Sequence, residues 1–313
     1  MTDTFDQGKG VEPHKRVYAD NLGEGLRYSH YGYAKPSTQP LILAYGTQAA
    51  PVGVPTLPAG AGVADQITNF RLGGSFGIEM QMHATTAQAL QPLVHVSKGL
   101  EIALDQVDNE CVEYVPGGNS DLNPFGLLAG TDRESVFIRA ILEITTNNGI
   151  DQMVIGYRKR ENYVTPTSFL AAGDALYTDF FGVGFNAAVA SPNPVGVVSD
   201  IANGGSNTRT AIGFTVTSGM IVKFELRLGA NRKPVAYING IPANGRNNVT
   251  KNGVGAAIAT QTLVPQHSYT FAAALQLVPF IFSRQDAGTS TVFLRELEVG
   301  RLVDVGLQPE LRV

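Results

Sequence analysis

The chain has 313 residues, with 23 Lys and Arg against 27 Asp and Glu, a formal net charge of −4 at pH 7. This balance argues against a nucleic-acid-binding protein, which needs a basic stripe to displace counterions. The single cysteine, Cys111, excludes an intrachain disulfide.

The first 96 residues are expected to form an extended N-terminal arm. Prolines and glycines are dense there, and the only clear strand pattern lies near residues 76–83. Such a segment does not bury enough apolar surface alone, so we expect it to order against neighbouring subunits. The alternative is that it wraps around its own sandwich. Its candidate contacts with a partner are Tyr28, Tyr31, Tyr33, Leu41, Ile42 and Leu43.

The uncharged run 36–64 is long enough to raise the question of a membrane segment. It contains five prolines, which would break a spanning helix. The first residues lack a basic segment followed by an apolar one. We therefore expect neither a membrane segment nor a signal peptide.

Residues 135–158 carry the plainest strand patterns. Alternate apolar residues from Val136 to Ile144 share one face, and Met153, Ile155 and Tyr157 alternate in the next run. An Asn/Gly-rich turn, residues 147–149, lies between the two runs. This order predicts a β-hairpin.

Further segments of strand length follow along the chain. Helical periodicity is scarce, with at most a short turn of helix over 84–90. The candidates lie at 76–82, 99–105, 176–185, 210–216, 269–275, 277–283 and 291–299. Short strands separated by glycine-rich turns indicate an all-β fold. We predict an antiparallel jelly-roll-type β-sandwich over residues 97–313, behind the arm.

The stretch 222–241 predicts a strand with one buried face. Val222, Phe224, Leu226 and Leu228 alternate with Lys223, Glu225 and Arg227, which we expect to face solvent. The chain then turns, returns, and turns again at Asn239-Gly240, a pair suited to positive φ at both positions.

The paired segments K-F-E-L-R-L and V-A-Y-I-N-G resemble strands of concanavalin A-like sandwiches, the superfamily of legume lectins, laminin-G domains and glucanases. The wider succession of segments 99–118, 135–163, 176–185, 221–228, 278–288 and 291–302 resembles concanavalin-like modules in virion proteins of tailed bacteriophages. The resemblance covers roughly residues 99–302. It implies a fold more strongly than a role, because its motifs are those of hairpins.

We expect no catalytic, cofactor-binding or metal site. Glucanases of this superfamily carry Glu-x-Asp-x-x-Glu on one strand, and that pattern is absent here. The nearest carboxylates and the basic groups 15–16 and 158–160 are expected to be solvated. These carboxylates are Asp105, Asp108, Glu110, Glu113, Glu296 and Glu298. The five scattered histidines are expected at the surface or at an interface, rather than as metal ligands. Cys111 is expected to be a small strand residue.

The segment YTDFFGVGF predicts an aromatic contact. Tyr177, Phe180 and Phe181 cannot all face one side of a strand, so at least one of them should point outward. An outward aromatic side chain suits either a sugar or a protein contact, and we favour the protein contact.

The favoured prediction is a non-enzymatic virion structural protein, a cement or decoration protein of the phage head. Charged residues make up only 16% of the chain, against about 25% in typical soluble domains. This neutral surface favours assembly. The expected partners are a major capsid protein and copies of the chain itself, as a homotrimer, and we expect no binding to nucleic acid or membrane. The alternative is a glycan-binding module of a tail fibre or spike, and a glycoside hydrolase comes third.

Overall fold

The computed structural model describes 14 parts of the chain, and every structural statement below concerns them. They are residues 27–34, 41–47, 65–72, 76–83, 93–95, 97–102, 111–132, 134–146, 150–161, 163, 177–186, 195–243, 269–285 and 291–303.

The regular elements of these residues are all β-strands. In chain order they are β1 (Arg27–Ala34), β2 (Leu41–Thr47), β3 (Asp65–Arg71), β4 (Gly77–His83), β5 (Leu93–His95), β6 (Gly99–Glu101), β7 (Cys111–Pro116), β8 (Leu127–Leu128), β9 (Ser135–Thr146), β10 (Ile150–Lys159), β11 (Phe180–Asn186), β12 (Val195–Ile201), β13 (Thr208–Thr215), β14 (Met220–Leu228), β15 (Pro234–Ile238), β16 (Ile241–Pro242), β17 (Gln276–Gln285) and β18 (Thr291–Val303). No helix in this described part is long and apolar enough to cross a membrane.

The strands form two antiparallel sheets. The eight-stranded sheet has the order β16-β15-β14-β9-β18-β6-β5. Strand β1 also pairs with β18, along residues 297–303, whereas β6 pairs with residues 293–294. The ten-stranded sheet has the order β13-β12-β11-β10-β17-β7-β4-β3-β2, and β8 pairs with one end of β17. One apolar core joins them; for example, the rings of Phe185 on β11 and Phe224 on β14 lie 6.1 Å apart. The predicted all-β antiparallel sandwich is confirmed.

The described residues before 96 form five strands, where one short strand was predicted, and the division of the chain into an arm and a sandwich stays a prediction. Strands β1 and β5 belong to the eight-stranded sheet, and β2, β3 and β4 belong to the ten-stranded sheet. Strand β5 also pairs with β6 across the boundary predicted at residue 96. Phe70, Ile78 and Met80 on these strands are buried in the common core. The apolar residues of these strands therefore contribute to the core that the two sheets share.

The predicted hairpin over 135–158 is also wrong, although both strands exist. Strand β9 pairs with β14 and β18, whereas β10 pairs with β11 and β17 in the opposite sheet. The apolar faces were predicted correctly, since Val136 to Ile144 and Met153 to Tyr157 fill the same core. Two consecutive strands that face each other across a core show the same alternation as two paired strands, so the sequence pattern does not separate these arrangements.

The stretch 222–241 forms β14 and β15, which pair with each other as predicted. Phe224 and its alternate neighbours are fully buried. Asn239 and Gly240 have φ of 51° and 80°, which confirms the tight turn between β15 and β16. The opposite face of β14 is less exposed to solvent than predicted, because Glu225 is only 3% exposed.

Candidate functional site

The predicted aromatic contact at 177–181 is buried. Tyr177, Phe180 and Phe181 are each at most 1% exposed. Phe181 packs between the sheets against Tyr269, with ring centroids 5.6 Å apart. Tyr177 and Phe180 belong to a second apolar cluster outside that core. The side chains do point to opposite faces, but the outer face is covered, so the expected outward, exposed aromatic is corrected to a packing residue.

The candidate contacts of the N-terminal region lie on two strands. Tyr28, Tyr31 and Tyr33 lie on β1, and Leu41, Ile42 and Leu43 begin β2. Tyr33 is half-buried and pairs in register with Glu298 of β18. The other five side chains lie outside the description. Contact of these residues with a partner stays a prediction.

Two of the carboxylates that we expected in solvent are buried. Glu113 is 3% exposed and Glu298 is 4% exposed. Each forms an ion pair with a buried arginine, Arg158 and Arg139 respectively. Asp105, Asp108 and Glu110 lie outside the described residues. Unpaired carboxylates are rarely buried, so the two arginines explain why these positions depart from the prediction.

Arg158 is the centre of a polar cluster on the outer face of the ten-stranded sheet. Its Nε donates to Glu113 Oε1 at 2.5 Å, and Tyr177 donates its hydroxyl to Glu113 Oε2 at 2.6 Å. The guanidinium carbon lies 4.3 Å from the ring centroid of Tyr177 and 5.2 Å from that of Tyr163. Its Nη1 donates to Asn119 Oδ1 at 3.3 Å. We call these five residues the Arg158 cluster.

The sheet order brings this cluster together. Glu113 lies on β7 and Arg158 on β10, and β17 separates these two strands. The pair therefore spans one intervening strand. Burial by itself lowers the pKa of Arg158, but Glu113 and the two tyrosines raise it, and the net shift is upward. Burial also raises the pKa of Tyr177 well above its usual value. At ordinary pH, Arg158 is therefore a cation and Tyr177 is a neutral hydroxyl donor.

One atom of the cluster departs from this satisfied pattern. Arg158 Nη2 is buried without a hydrogen-bond partner in the described part of the chain. The tyrosine rings beside the guanidinium provide cation–π stabilisation. Arg158 is thus held by charge, hydrogen bonds and ring contacts together.

Exposed loops surround this cluster at one end of the ten-stranded sheet. We call residues 117–124, 159–161, 177–179 and 202–206 the loop rim. Asn119 Nδ2 donates to the carbonyl oxygen of Glu161 at 2.9 Å, and the Thr178 backbone N–H donates to Glu161 Oε1 at 2.7 Å. The Gly204 N–H donates to the Thr178 carbonyl at 2.7 Å. The loops are therefore hydrogen-bonded to one another and, through Asn119, to Arg158.

The rim presents polar groups and one apolar side chain to solvent. Asp121 and Arg160 form an ion pair at 3.4 Å, with their side chains 69% and 39% exposed. Leu122 is 90% exposed. Residues 202–206 are all exposed. Binding residues are often carried by surface loops that a rigid scaffold positions, and these loops have that placement.

Among the residues that the structure describes, no group of three or more His, Cys, Asp or Glu side chains is placed to hold an ion. Cys111 is buried at the start of β7, which agrees with the small strand residue expected. His95 contacts Glu101 at 3.0 Å on an exposed edge. His14 and His267 lie outside the description, as do the side chains of His30 and His83.

Arg158 was not predicted as a site residue, because it lies in a short basic group that we expected in solvent. Arg158 is in fact fully buried. The available signal was its register, since Arg158 alternates with Tyr157 and therefore points away from the core. The alternation along the strand does not indicate that the outer face of the ten-stranded sheet is also buried.

No family model and no curated protein matches this sequence. Among solved structures, the chain is similar to peanut lectin, with 12% identity and a TM-score of 0.45 over 75% of this chain and 96% of the lectin. It is similar to a legume lectin-like domain from Entamoeba histolytica, with 11% identity and a TM-score of 0.38 over 72% and 88% of the two chains. A protein of unknown function from Shewanella oneidensis, SO2946, has 11% identity and a TM-score of 0.37 over 94% and 95%. These values describe a general likeness of fold.

Proposed function

We propose that this chain is a non-enzymatic glycan-binding β-sandwich that binds its ligand at the loop rim. The observation that carries the proposal is a set of exposed polar loops fixed to a fully buried arginine. Sugar hydroxyls both donate and accept hydrogen bonds, so the exposed side chains of Asp121 and Arg160 offer complementary groups. The exposed Leu122 offers an apolar contact for a sugar ring face.

The rim also has the rigidity that weak polar contacts need. When a flexible loop binds a ligand, the loop loses conformational entropy, and a preorganised surface avoids this cost. The bonds among Asn119, Glu161, Thr178 and Gly204 restrain the loops before any ligand arrives. This supports recognition by the rim in its folded conformation.

The environment of Glu113 supports a role without hydrolysis. A glycosidase needs two accessible carboxyl groups, roughly 5–10 Å apart, on either side of the scissile bond. Glu113 is buried, and both of its oxygens already accept hydrogen bonds, from Arg158 and from Tyr177. It supports the fold of the rim and does not face a substrate.

The test is a glycan array followed by titration calorimetry with the best glycan. We expect Asp121→Ala and Arg160→Ala to weaken binding about tenfold each, because each removes a charged hydrogen-bonding group. Arg295→Ala is the matched control: it is an exposed, ion-paired arginine, 37% exposed, on the opposite sheet. Absence of binding to every glycan, or equal loss in the control, would contradict the proposal.

The cement role predicted from the sequence, with a major capsid protein and self-association as a homotrimer, remains a separate prediction. The location in a virion remains a prediction too. A reconstruction of purified particles that places this chain on the head, with the rim against a neighbouring subunit, would favour the cement role. A rim that is open on a fibre or spike would favour glycan binding.

A further inference from the structure

A straight row of five side chains crosses the outer face of the eight-stranded sheet. Tyr237, Glu225, Arg139, Glu298 and Tyr33 lie directly opposite one another on β15, β14, β9, β18 and β1. Four strand spacings separate the two tyrosines, about 19 Å. The row reads the same from either end: tyrosine, glutamate, arginine, glutamate, tyrosine.

The two halves of the row, on either side of Arg139, differ at the position two residues after each glutamate. On the first half, Arg227 follows two residues after Glu225 on the same face of β14. Its Nε donates to Glu225 Oε1 at 2.5 Å, and its guanidinium lies 4.7 Å from the ring centroid of Tyr237. A second arginine, besides the central Arg139, thus occupies the space between glutamate and tyrosine.

On the second half, the equivalent position is Gly300, two residues after Glu298. A Cβ at this position would lie 2.4 Å from the ring of Phe137, so the chain supplies no second arginine there. Arg139 donates to Glu298 Oε1. Glu298 Oε2 is buried and has no hydrogen-bond partner in the part of the chain that the structure describes.

A buried carboxylate oxygen without a donor is unusual, because desolvation of an anionic acceptor is costly unless a donor replaces water. The first half shows which donor this geometry accommodates. A planar guanidinium there satisfies the carboxylate and stacks on the neighbouring ring. Tyr33 is half-buried and lies opposite Glu298 in register, as Tyr237 lies opposite Glu225.

We propose that Glu298 and the ring of Tyr33 form a binding site for a guanidinium group, supplied by an arginine side chain of a protein partner. The incoming arginine takes the role that Arg227 has on the first half of the row. The site is independent of the loop rim, which belongs to the other sheet.

The test uses capped arginine, N-acetylarginine amide, titrated into the full chain and followed by calorimetry or by NMR of the tyrosine rings. N-acetylcitrulline amide is the matched control probe, because it replaces the cationic guanidinium with a neutral urea of nearly the same shape. We expect saturable binding of the arginine probe, and binding of the citrulline probe at least about tenfold weaker, since the charge-assisted contacts are lost.

Two variants locate the site. Tyr33→Leu should weaken binding of the arginine probe about fivefold by removing the ring contact. Tyr237→Leu, the same change on the first half, should leave it unchanged. Glu298→Gln should abolish binding; if this variant fails to fold because Arg139 loses its anion, the Tyr33 and Tyr237 pair still decides the matter.

Three results would overturn the proposal. They are no saturable binding of the arginine probe up to about 20 mM, equal binding of the citrulline probe, and equal effects of the two tyrosine variants. None of these results depends on whether the loop rim binds a glycan.

Discussion

The outer faces of the two sheets each bury an arginine–glutamate pair, but they satisfy it differently. On the ten-stranded sheet, Glu113 accepts from Arg158 with one oxygen and from Tyr177 with the other. On the eight-stranded sheet, Glu298 accepts from Arg139 with one oxygen, and its second oxygen has no hydrogen-bond partner within the described chain. A buried ion pair stabilises a fold only when further hydrogen bonds offset its desolvation. The carboxylate of the first pair is therefore completed internally, although Arg158 Nη2 has no hydrogen-bond partner in the described chain, and the carboxylate of the second pair retains the capacity to accept a donor.

This difference separates two roles for similar residues. The Arg158 cluster connects to exposed loops through Asn119, so its hydrogen bonds restrain the loop rim. The row on the other sheet ends in half-buried tyrosines rather than hydrogen-bonded loops. We infer that the first face supports a site beside it, and that the second face contains a site.

The largest expected effect comes from removing the centre of the first face. Arg158→Ala leaves Glu113 buried without its cation, which should lower the free energy of unfolding by about 3–5 kcal/mol. Arg160→Ala, two residues away and exposed, should change it by less than about 1 kcal/mol. Urea unfolding followed by circular dichroism measures both. Similar effects of the two variants would show that the buried pair does not stabilise this face.

A smaller change should make the first face resemble the second. Tyr177→Phe removes the hydroxyl that donates to Glu113 Oε2 and leaves one carboxylate oxygen without that donor. We expect a loss of about 1–2 kcal/mol in the free energy of unfolding, because the acceptor stays buried. Tyr33→Phe, on the second face, should lose less than this. A larger loss in Tyr33→Phe would reverse the comparison.

The same two tyrosines should differ in alkaline solution. Burial raises the pKa of Tyr177 well above 10, so above that pH the unfolded chain loses a proton that the folded chain keeps. Stability from this group is complete below pH 10 and falls as the pH rises, by at most about 1.4 kcal/mol per pH unit. Burial also raises the pKa of Tyr33, but its side chain is only half-buried. Unfolding titrations from pH 9 to 11 should show a shallower fall for Tyr177→Phe than for Tyr33→Phe; equal slopes would contradict the assignment.

The inward faces of the strands could be predicted from the sequence, and their partners could not. Alternation placed Val136 to Ile144 and Phe224 in the core, and the Asn239-Gly240 pair gave the correct turn. Alternation has no information on which sheet a strand joins, so β9 and β10 were wrongly paired. Proline and glycine content likewise hid the strands before residue 96, since their stability comes from the rest of the sandwich.

The outer faces were predicted least well, for one physical reason. Charged residues such as Arg158, Glu113 and Glu298 are assigned to solvent by composition alone, and only a paired partner on another strand makes their burial possible. That partner is distant in sequence: 45 residues separate Glu113 from Arg158, and 159 separate Arg139 from Glu298. Local pattern does not contain this information.

The smallest expected effect concerns Lys223, which flanks the row on β14. Lys223 is half-buried, and burial lowers its pKa, with Glu225 opposing this shift. The folded chain therefore holds the proton of Lys223 less tightly than the unfolded chain does. Its contribution to stability is unfavourable at neutral pH and improves as the pH rises toward the usual lysine value of about 10.4.

Lys223→Ala should therefore change the free energy of unfolding at pH 7 by no more than about 0.5 kcal/mol, in contrast to the buried arginines. Any stability that the variant gains over the wild-type chain at pH 7 should shrink when both are measured at pH 10, because the wild-type lysine is then partly neutral. Urea unfolding of the two proteins at both pH values checks the size and the sign. A loss above about 1 kcal/mol at pH 7 would mean that Lys223 is a stabilising cation of the row. Lys223 would then stabilise the first half of the row beside Glu225, together with Arg227.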